Sequence, residues 1–253
     1  MNLAGKVALV TGGTMGIGAA IAVDLAQRGA DISLVARNMG PEAQQTKSRI
    51  EELGRKCLLI AGDMCRGDDC TASVEDTASH FGRLDVLVHN AGGPSAGGID
   101  DVSPEQWHAT MDLHVNACYY LCRAALPHLR KQSEGAIITV SSTAGLRGVA
   151  GAIAYATAKG AIPQFTRALA REECDHNIRV NCVAPGVVRT RFHDDMPAEK
   201  AQFNIDHRIP LHREGTPEQV AEVVAVLVTN DYITGETFTK FFFIDFMFFD
   251  LVF

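Results

Sequence analysis

Val7-Ala8-Leu9-Val10-Thr11-Gly12-Gly13-Thr14-Met15-Gly16-Ile17-Gly18 runs an apolar stretch into a glycine-rich turn and then into an alanine-rich helix. Four successive apolar residues read as a buried strand. Glycines let the backbone approach a diphosphate closely, and the first turn of the following helix aims unpaired N–H groups at it. A glycine-rich turn alone is often only a tight turn. A strand before it, a helix after it and a place near the N-terminus turn it into an expected dinucleotide cradle.

Outward from the cradle, short apolar runs at Ile32–Val35, Cys57–Ala61, Leu84–Val88, Ile137–Val140 and Ile178–Val183 read as further buried strands. Between them lie helical patterns at roughly 16–29, 41–54, 71–81, 104–131 and 155–174. Two helix starts are marked. Ser103-Pro104-Glu105-Gln106 and Thr216-Pro217-Glu218-Gln219 each offer an N-cap, a proline at the first helical position and a capping-box Gln. Strand–helix alternation predicts an α/β fold, a parallel sheet with helices on both faces. No linker or repeat interrupts it before residue 238, so 1–253 is read as one domain.

Composition narrows the function. A net charge of −7 gives no basic face for nucleic acid. No apolar run reaches the ~18 residues of a membrane span. The N-terminus, Met1-Asn2-Leu3-Ala4-Gly5-Lys6, has no basic-then-apolar leader. Seven cysteines without disulfide-type spacing are expected to be reduced thiols of a cytoplasmic protein.

The second strand ends Leu34-Val35-Ala36 and is followed by Arg37-Asn38. A carboxylate there would accept from a ribose 2′-hydroxyl, whereas arginine suits a 2′-phosphate through its bidentate fork. The expectation is NADP(H), with NAD(H) as the alternative. Further on, Tyr155 and Lys159 stand one helical turn apart, thirteen residues after Ser142. A phenol titrates near ~10 in water. A neighbouring ammonium would favour the phenolate and tune Tyr155 as a general acid/base.

Taken together, these motifs resemble the short-chain dehydrogenase/reductase family, in the right order from about residue 4 to residue 237. Thr11-Gly12, Gly16 and Gly18 look like its cofactor turn, with Thr14, Met15 and Ile17 between them. Asp63, with Met64 beside it, resembles the adenine contact, and Asn90-Ala91-Gly92 matches the Asn-Ala-Gly segment. Ser142, Tyr155 and Lys159 match the catalytic Ser, Tyr and Lys. Asn181 to Gly186 carries the Asn-x-x-Ala-Pro-Gly segment, followed by Val188 and by Thr190 at the carboxamide contact. The resemblance implies a seven-stranded Rossmann-like fold, a homo-oligomer (tetramer or dimer) and hydride transfer between nicotinamide and a small carbonyl or secondary alcohol. Ser142 would then hold the carbonyl oxygen, Tyr155 donate the proton, and Lys159 hold the ribose and depress the Tyr155 pKa.

Two departures stand out. The family's helical Asn, seven residues after a Trp-like position, is here His114 after Trp107. His114 is expected to support the same proton relay to the Lys, with altered pH dependence. The second departure is the tail. Residues 238–253 hold eight of twelve Phe and lack the family's Asp-Gly-Gly turn. They read as a terminal strand or an oligomer contact.

Residues 187–214 are expected to cover the substrate. Their His193, Asp194, Asp195, Asp206, His207 and His212 lack compact ligand spacing, so a polar lid is expected and no metal. The alternatives are a 3-oxoacyl-carrier-protein reductase, with Arg130, Lys131 and Arg171 as candidate docking cations, and a catalytically silent dinucleotide sensor or scaffold.

Overall fold

The computed structural model of the chain describes residues 1–190 and 197–240. Seven strands form one parallel sheet: β1 (Val7–Thr11), β2 (Asp31–Ala36), β3 (Cys57–Ala61), β4 (Val86–His89), β5 (Gly135–Val140), β6 (Ile178–Pro185) and β7 (Thr237–Lys240). Their order is β3-β2-β1-β4-β5-β6-β7. The strand runs read from sequence are all present, and β7 takes the first residues of the aromatic stretch. Residues 241–253 lie outside the described residues, so the rest of the expected tail is not placed.

The helices are α1 (Gly16–Gln27), α2 (Pro41–Glu52), α3 (Gly67–Phe81), α4 (Pro104–Met111), α5 (Ala117–Leu129), α6 (Thr143–Arg147), α7 (Ile153–Glu173), α8 (Ala198–Phe203) and α9 (Pro217–Thr229). One face of the sheet packs against α1 and α9 through Ile21, Leu25, Val220 and Leu227. The other packs against α3, α5 and α7 through Val74, Leu121 and Leu169. Burial on both faces explains why the strands are continuous apolar runs rather than alternating ones. Leu9, Leu87 and Ile137 are fully buried at the sheet centre, each worth ~1.5–3 kcal/mol relative to exposure.

Chain order reverses between β1 and β4, and ligands of open α/β sheets bind at the carboxyl ends of strands at such a switch point. The register sets Thr11 beside His89 there.

Three local expectations are corrected. The 104–131 helix is not continuous. A π-turn at Asp112–Asn116 separates α4 from α5, adding a residue to one turn. α3 begins at Gly67 rather than 71, because Asp68 and Asp69 suit a helix N-terminus. Of the two capping boxes, only that of Thr216 and Gln219 closes reciprocally. Ser103 caps through Gln106 N, but the Gln106 amide instead donates to Ser95 Oγ and the Ala96 carbonyl.

Candidate active site

A cavity of about 1670 Å³ opens at the carboxyl ends of β1, β4 and β5. The turn after β1 contributes Gly12, Thr14, Met15, Gly16 and Ile17. The ends of β2 and β3 contribute Arg37, Asn38, Asp63, Met64 and Cys65. The segment after β4 supplies Asn90 to Pro94, and α7 supplies Tyr155 and Lys159. Ser142 enters at the start of α6, and Gly186, Val188 and Thr190 follow β6. The structure thus gathers every expected catalytic and cofactor-binding residue except Thr11 and Gly18, while Asp206, His207 and His212 of the substrate-covering segment do not line the cavity.

Gly18 is a packing residue. A Cβ on it would collide with the Gly12 carbonyl oxygen and lie 2.5 Å from Asn90 Nδ2. Its lack of a side chain lets α1 seat against the turn, while Asn90 ties the turn to β4 by donating to the carbonyls of Thr11 and Gly12 at 3.3 and 3.1 Å. The N-cap of α1, Met15, makes no side-chain hydrogen bond. The first-turn N–H groups therefore have no capping side chain and can serve an anion. This cradle fits a dinucleotide diphosphate.

Ser142 and its neighbour Ser141 divide their tasks. The buried Ser141 hydroxyl donates to the Lys159 carbonyl at 2.6 Å and ties α7 to β5. Ser142 caps α6 by accepting from Ala144 N, and its hydroxyl also hydrogen-bonds Tyr155. Burial raises the Tyr155 pKa, and the Ser142 hydrogen bond partly opposes the rise.

The Tyr155 pKa is thus raised above its ordinary value by burial, rather than lowered as the Tyr–Lys spacing suggests. Lys159 is 5 % exposed, and its Nζ donates to the Val140 carbonyl at 2.8 Å. It lies 5.8 Å from the Tyr155 ring centroid. Desolvation pulls the ammonium itself down to about 8. Burial disfavours the charged form of each group and is the largest cause at both.

Behind this pair sit two buried imidazoles. His114, 1 % exposed on the π-turn, meets the Tyr155 ring edge-on at 5.6 Å. Its Nε2 donates to the Gly93 carbonyl at 3.1 Å, leaving Nδ1 as a buried acceptor without a partner. Gly92 makes room for the ring, since a Cβ there would stand 2.8 Å from His114 Cε1.

His89 ends β4 and pairs with Thr11 Oγ1 through Nδ1 at 2.8 Å. That hydroxyl already accepts from the N–H groups of Asn90 and Ala91. Its own proton therefore goes to His89 Nδ1, which places the imidazole hydrogen on Nε2. Burial, then the Lys159 charge, pushes His89 to about 3 and His114 to about 2, so both are neutral.

Sequence reasoning missed His89, Cys65, Arg147, Asn204 and Arg208 as lining or supporting residues. His89 could have been flagged as the titratable residue directly before Asn-Ala-Gly. Nothing in the spacing pointed to Arg208. Among the described residues no three His, Cys, Asp or Glu side chains converge as a metal site, and His193, Asp194 and Asp195 lie outside them. The seven cysteines form no disulfide. No described helix is long and apolar enough to cross a membrane.

A family model described as enoyl-(acyl carrier protein) reductase matches residues 12–240. The uncharacterized oxidoreductase YhdF of Bacillus subtilis is 39% identical over 241 residues, 93% of this chain and 82% of that protein. The 3-oxoacyl-[acyl-carrier-protein] reductase FabG of Chlamydia muridarum is 35% identical over 238 residues, 92% of this chain and 95% of that protein. A short-chain dehydrogenase from Burkholderia cenocepacia, solved in complex with NADP, superposes with a TM-score of 0.88 at 36% identity, covering 94% of this chain and 97% of that one. A seven-stranded sheet of this order, with a glycine-rich turn at its switch point, defines a Rossmann-like dinucleotide-binding fold. With these matches, the chain belongs to the short-chain dehydrogenase/reductase family. It is an NAD(P)-dependent enzyme acting on CH–OH and C=O groups, which sets aside the catalytically silent reading.

Proposed function

We propose that the protein interconverts a small carbonyl compound and its secondary alcohol, using NADP(H). The observation that carries this reading is the convergence of Ser142, Tyr155 and Lys159 in one cavity with the glycine turn. A bound nicotinamide dinucleotide supplies or accepts the hydride. Ser142 is placed to donate to the substrate oxygen as negative charge develops there. Tyr155, a phenol protonated at neutral pH and shifted further upward by burial, is the proton donor in the reductive direction. Lys159, anchored on Val140, supplies positive charge beside the phenol once its proton has left. His114 holds the wall behind Tyr155 and offers Nδ1 as a neutral acceptor on the proton path to Lys159. Steady-state assays on ketones and sugars with NADPH test this. Tyr155→Phe is expected to lower kcat by about 10²–10⁴-fold with cofactor binding retained. Turnover unchanged by that substitution would refute the assignment.

The NADP(H) preference rests on Arg37 lining the cavity where β2 ends in Ala36 and no carboxylate stands. Arg37→Ala is expected to weaken NADPH binding about tenfold or more, the loss of a charge-assisted hydrogen bond, while NADH binding changes little. Equal weakening of both would favour NAD(H). The reading extends to a cytoplasmic, single-domain protein that forms a homodimer or homotetramer. The exposed Tyr119 and Tyr120 of α5 support the assembly, and light scattering on the full chain tests it.

The carrier-protein alternative draws support from the FabG similarity. It loses its docking cations, because Arg130, Lys131 and Arg171 follow α5 or close α7, at the edge where β5 and β6 begin, opposite the cavity. Arg130 is moreover ion-paired with the buried Glu173.

A further inference from the structure

The segment that leaves β4 meets the π-turn Asp112–Asn116 at two points. At one, the Gly93 carbonyl accepts from His114 Nε2 at 3.1 Å. At the other stands His89, the last residue of β4, which is 3 % exposed. His89 has no part in the chemistry assigned to Ser142, Tyr155 and Lys159.

His89 is oriented from one side. The Thr11 hydroxyl accepts from the N–H groups of Asn90 and Ala91 and gives its own proton to His89 Nδ1 at 2.8 Å. The imidazole hydrogen therefore lies on Nε2, at the far side of the ring. That N–H is buried and has no hydrogen-bond partner among the described residues. The backbone acceptor it feels is the carbonyl of Leu113, in the π-turn directly before His114. A buried donor is costly to leave open, so it favours the position of the π-turn that brings this carbonyl to it. Hydrogen bonds that support a reacting group often tighten only with cofactor and substrate in place.

The π-turn in its turn fixes the acid. His114 meets the Tyr155 ring edge-on at 5.6 Å. Tyr155 is also faced by Ser142, which hydrogen-bonds it from α6, and by Lys159 on α7, at 5.8 Å from the ring. Thr11 directly precedes Gly12 of the cofactor turn. One run of contacts thus leads from that turn through His89 and the π-turn to the ring of Tyr155.

We propose that His89 is a positioning residue: standing between Thr11 and Leu113, it fixes the π-turn, and with it His114 and the Tyr155 ring, relative to the cofactor turn. This rests on the carbonyl–alcohol reading, in which Tyr155 is the acid. Misplacing a reacting group by about 1 Å can cost about 100-fold in rate, so a residue that never touches substrate can govern turnover.

The test is steady-state reduction of the best carbonyl substrate with NADPH from about pH 6 to about pH 10, beside NADPH binding followed by nicotinamide fluorescence. His89→Phe keeps a ring and removes both nitrogens. It is expected to lower kcat about tenfold or more, to leave KM and the NADPH Kd within about twofold, and to move the basic limb of the kcat profile. His89→Asn, whose amide keeps an acceptor for Thr11 and a donor beyond it, should recover most of the loss. On a His114→Asn background, His89→Phe should cost much less, because the contact it supports is gone. An unchanged kcat and pH profile in His89→Phe, equal losses in the Phe and Asn variants, or a loss of NADPH affinity alone would each overturn the proposal. Isotope-edited NMR reads the same arrangement without turnover. In the wild type, a bare Nδ1 and a protonated Nε2 on His89 at pH 7 support it, and a proton on Nδ1 refutes it. The Tyr155 ring signal should shift in His89→Phe and return in His89→Asn, and a signal that stays in place refutes the coupling. Failure of the wild type to reduce any carbonyl would instead refute the carbonyl–alcohol reading, with the ring signal still deciding whether His89 positions Tyr155.

Discussion

Acidification is expected to unfold this protein well above the pH at which its carboxylates titrate, through two histidines. His89 and His114 are held neutral by burial, at about 3 and about 2, against an unfolded value of 6.5. The unfolded chain therefore binds two more protons than the native one once the pH drops below about 6.5. Stability falls with pH wherever the unfolded state binds more protons. Each imidazole contributes about 1.4 kcal/mol per pH unit from about 6.5 downward. The loss continues until the folded-state values are reached. By pH 4.5 the pair should cost about 5 kcal/mol, a large share of the ~5–15 kcal/mol available to a domain.

Urea unfolding at pH 7 and pH 4.5 measures this. His89→Asn and His114→Asn should each flatten the dependence by about half, even where they lower stability at pH 7. A wild-type loss below about 1 kcal/mol over that range, or equal losses in the variants, would show that the imidazoles do not hold these protonation states.

Lys159→Met is expected to lose activity and gain stability together. Burial lowers the ammonium from 10.5 to about 8, so its charge is carried at a cost that is complete below about pH 8 and fades as pH rises toward 10.5. The cost relieved at pH 7 is about 3 kcal/mol. The Val140 carbonyl loses its 2.8 Å donor, which takes back about 1 kcal/mol or more. Methionine fills a similar volume, so no large cavity follows. The net gain should raise Tm at pH 7 by a few degrees, at ~2–4 °C per kcal/mol for a chain of this size. Turnover should drop at least ~100-fold, because no cation remains beside Tyr155. Calorimetry from pH 7 to 10 should show the variant's advantage shrinking above pH 8. A variant less stable at pH 7, or an advantage indifferent to pH, would show that the buried charge is compensated.

These two expectations share one origin. Tyr155, Lys159, His114 and His89 occupy a desolvated wall with few hydrogen bonds. The site's protonation states are thus set by burial more than by the neighbouring charges that spacing suggests. Local strain and desolvation of this kind concentrate where function requires them.

What the residue order determined was everything that depends on local chemistry and period. Apolar runs separated by helical patterns are enough to order an α/β sheet, since strands buried on both faces cannot alternate. Gly12 to Gly18 declared the cradle, because a strand, a glycine turn and a helix start lie within a dozen residues. The thirteen residues from Ser142 to Tyr155 and the helical turn to Lys159 pointed to the groups proposed to react.

Only the tertiary structure decided which charges those groups carry. Desolvation depends on what packs around a side chain, which no spacing encodes. It reversed the expected direction at Tyr155. It also made neutral imidazoles of His114, on a π-turn hidden inside a continuous helical pattern, and of His89, on a strand end. The same holds for Gly18, whose role follows from Asn90 reaching across from β4, and for Arg147 and Arg208. Those two arginines are sixty-one residues apart and share a cavity only because α6 and the segment after β6 both rise from the carboxyl edge of the sheet.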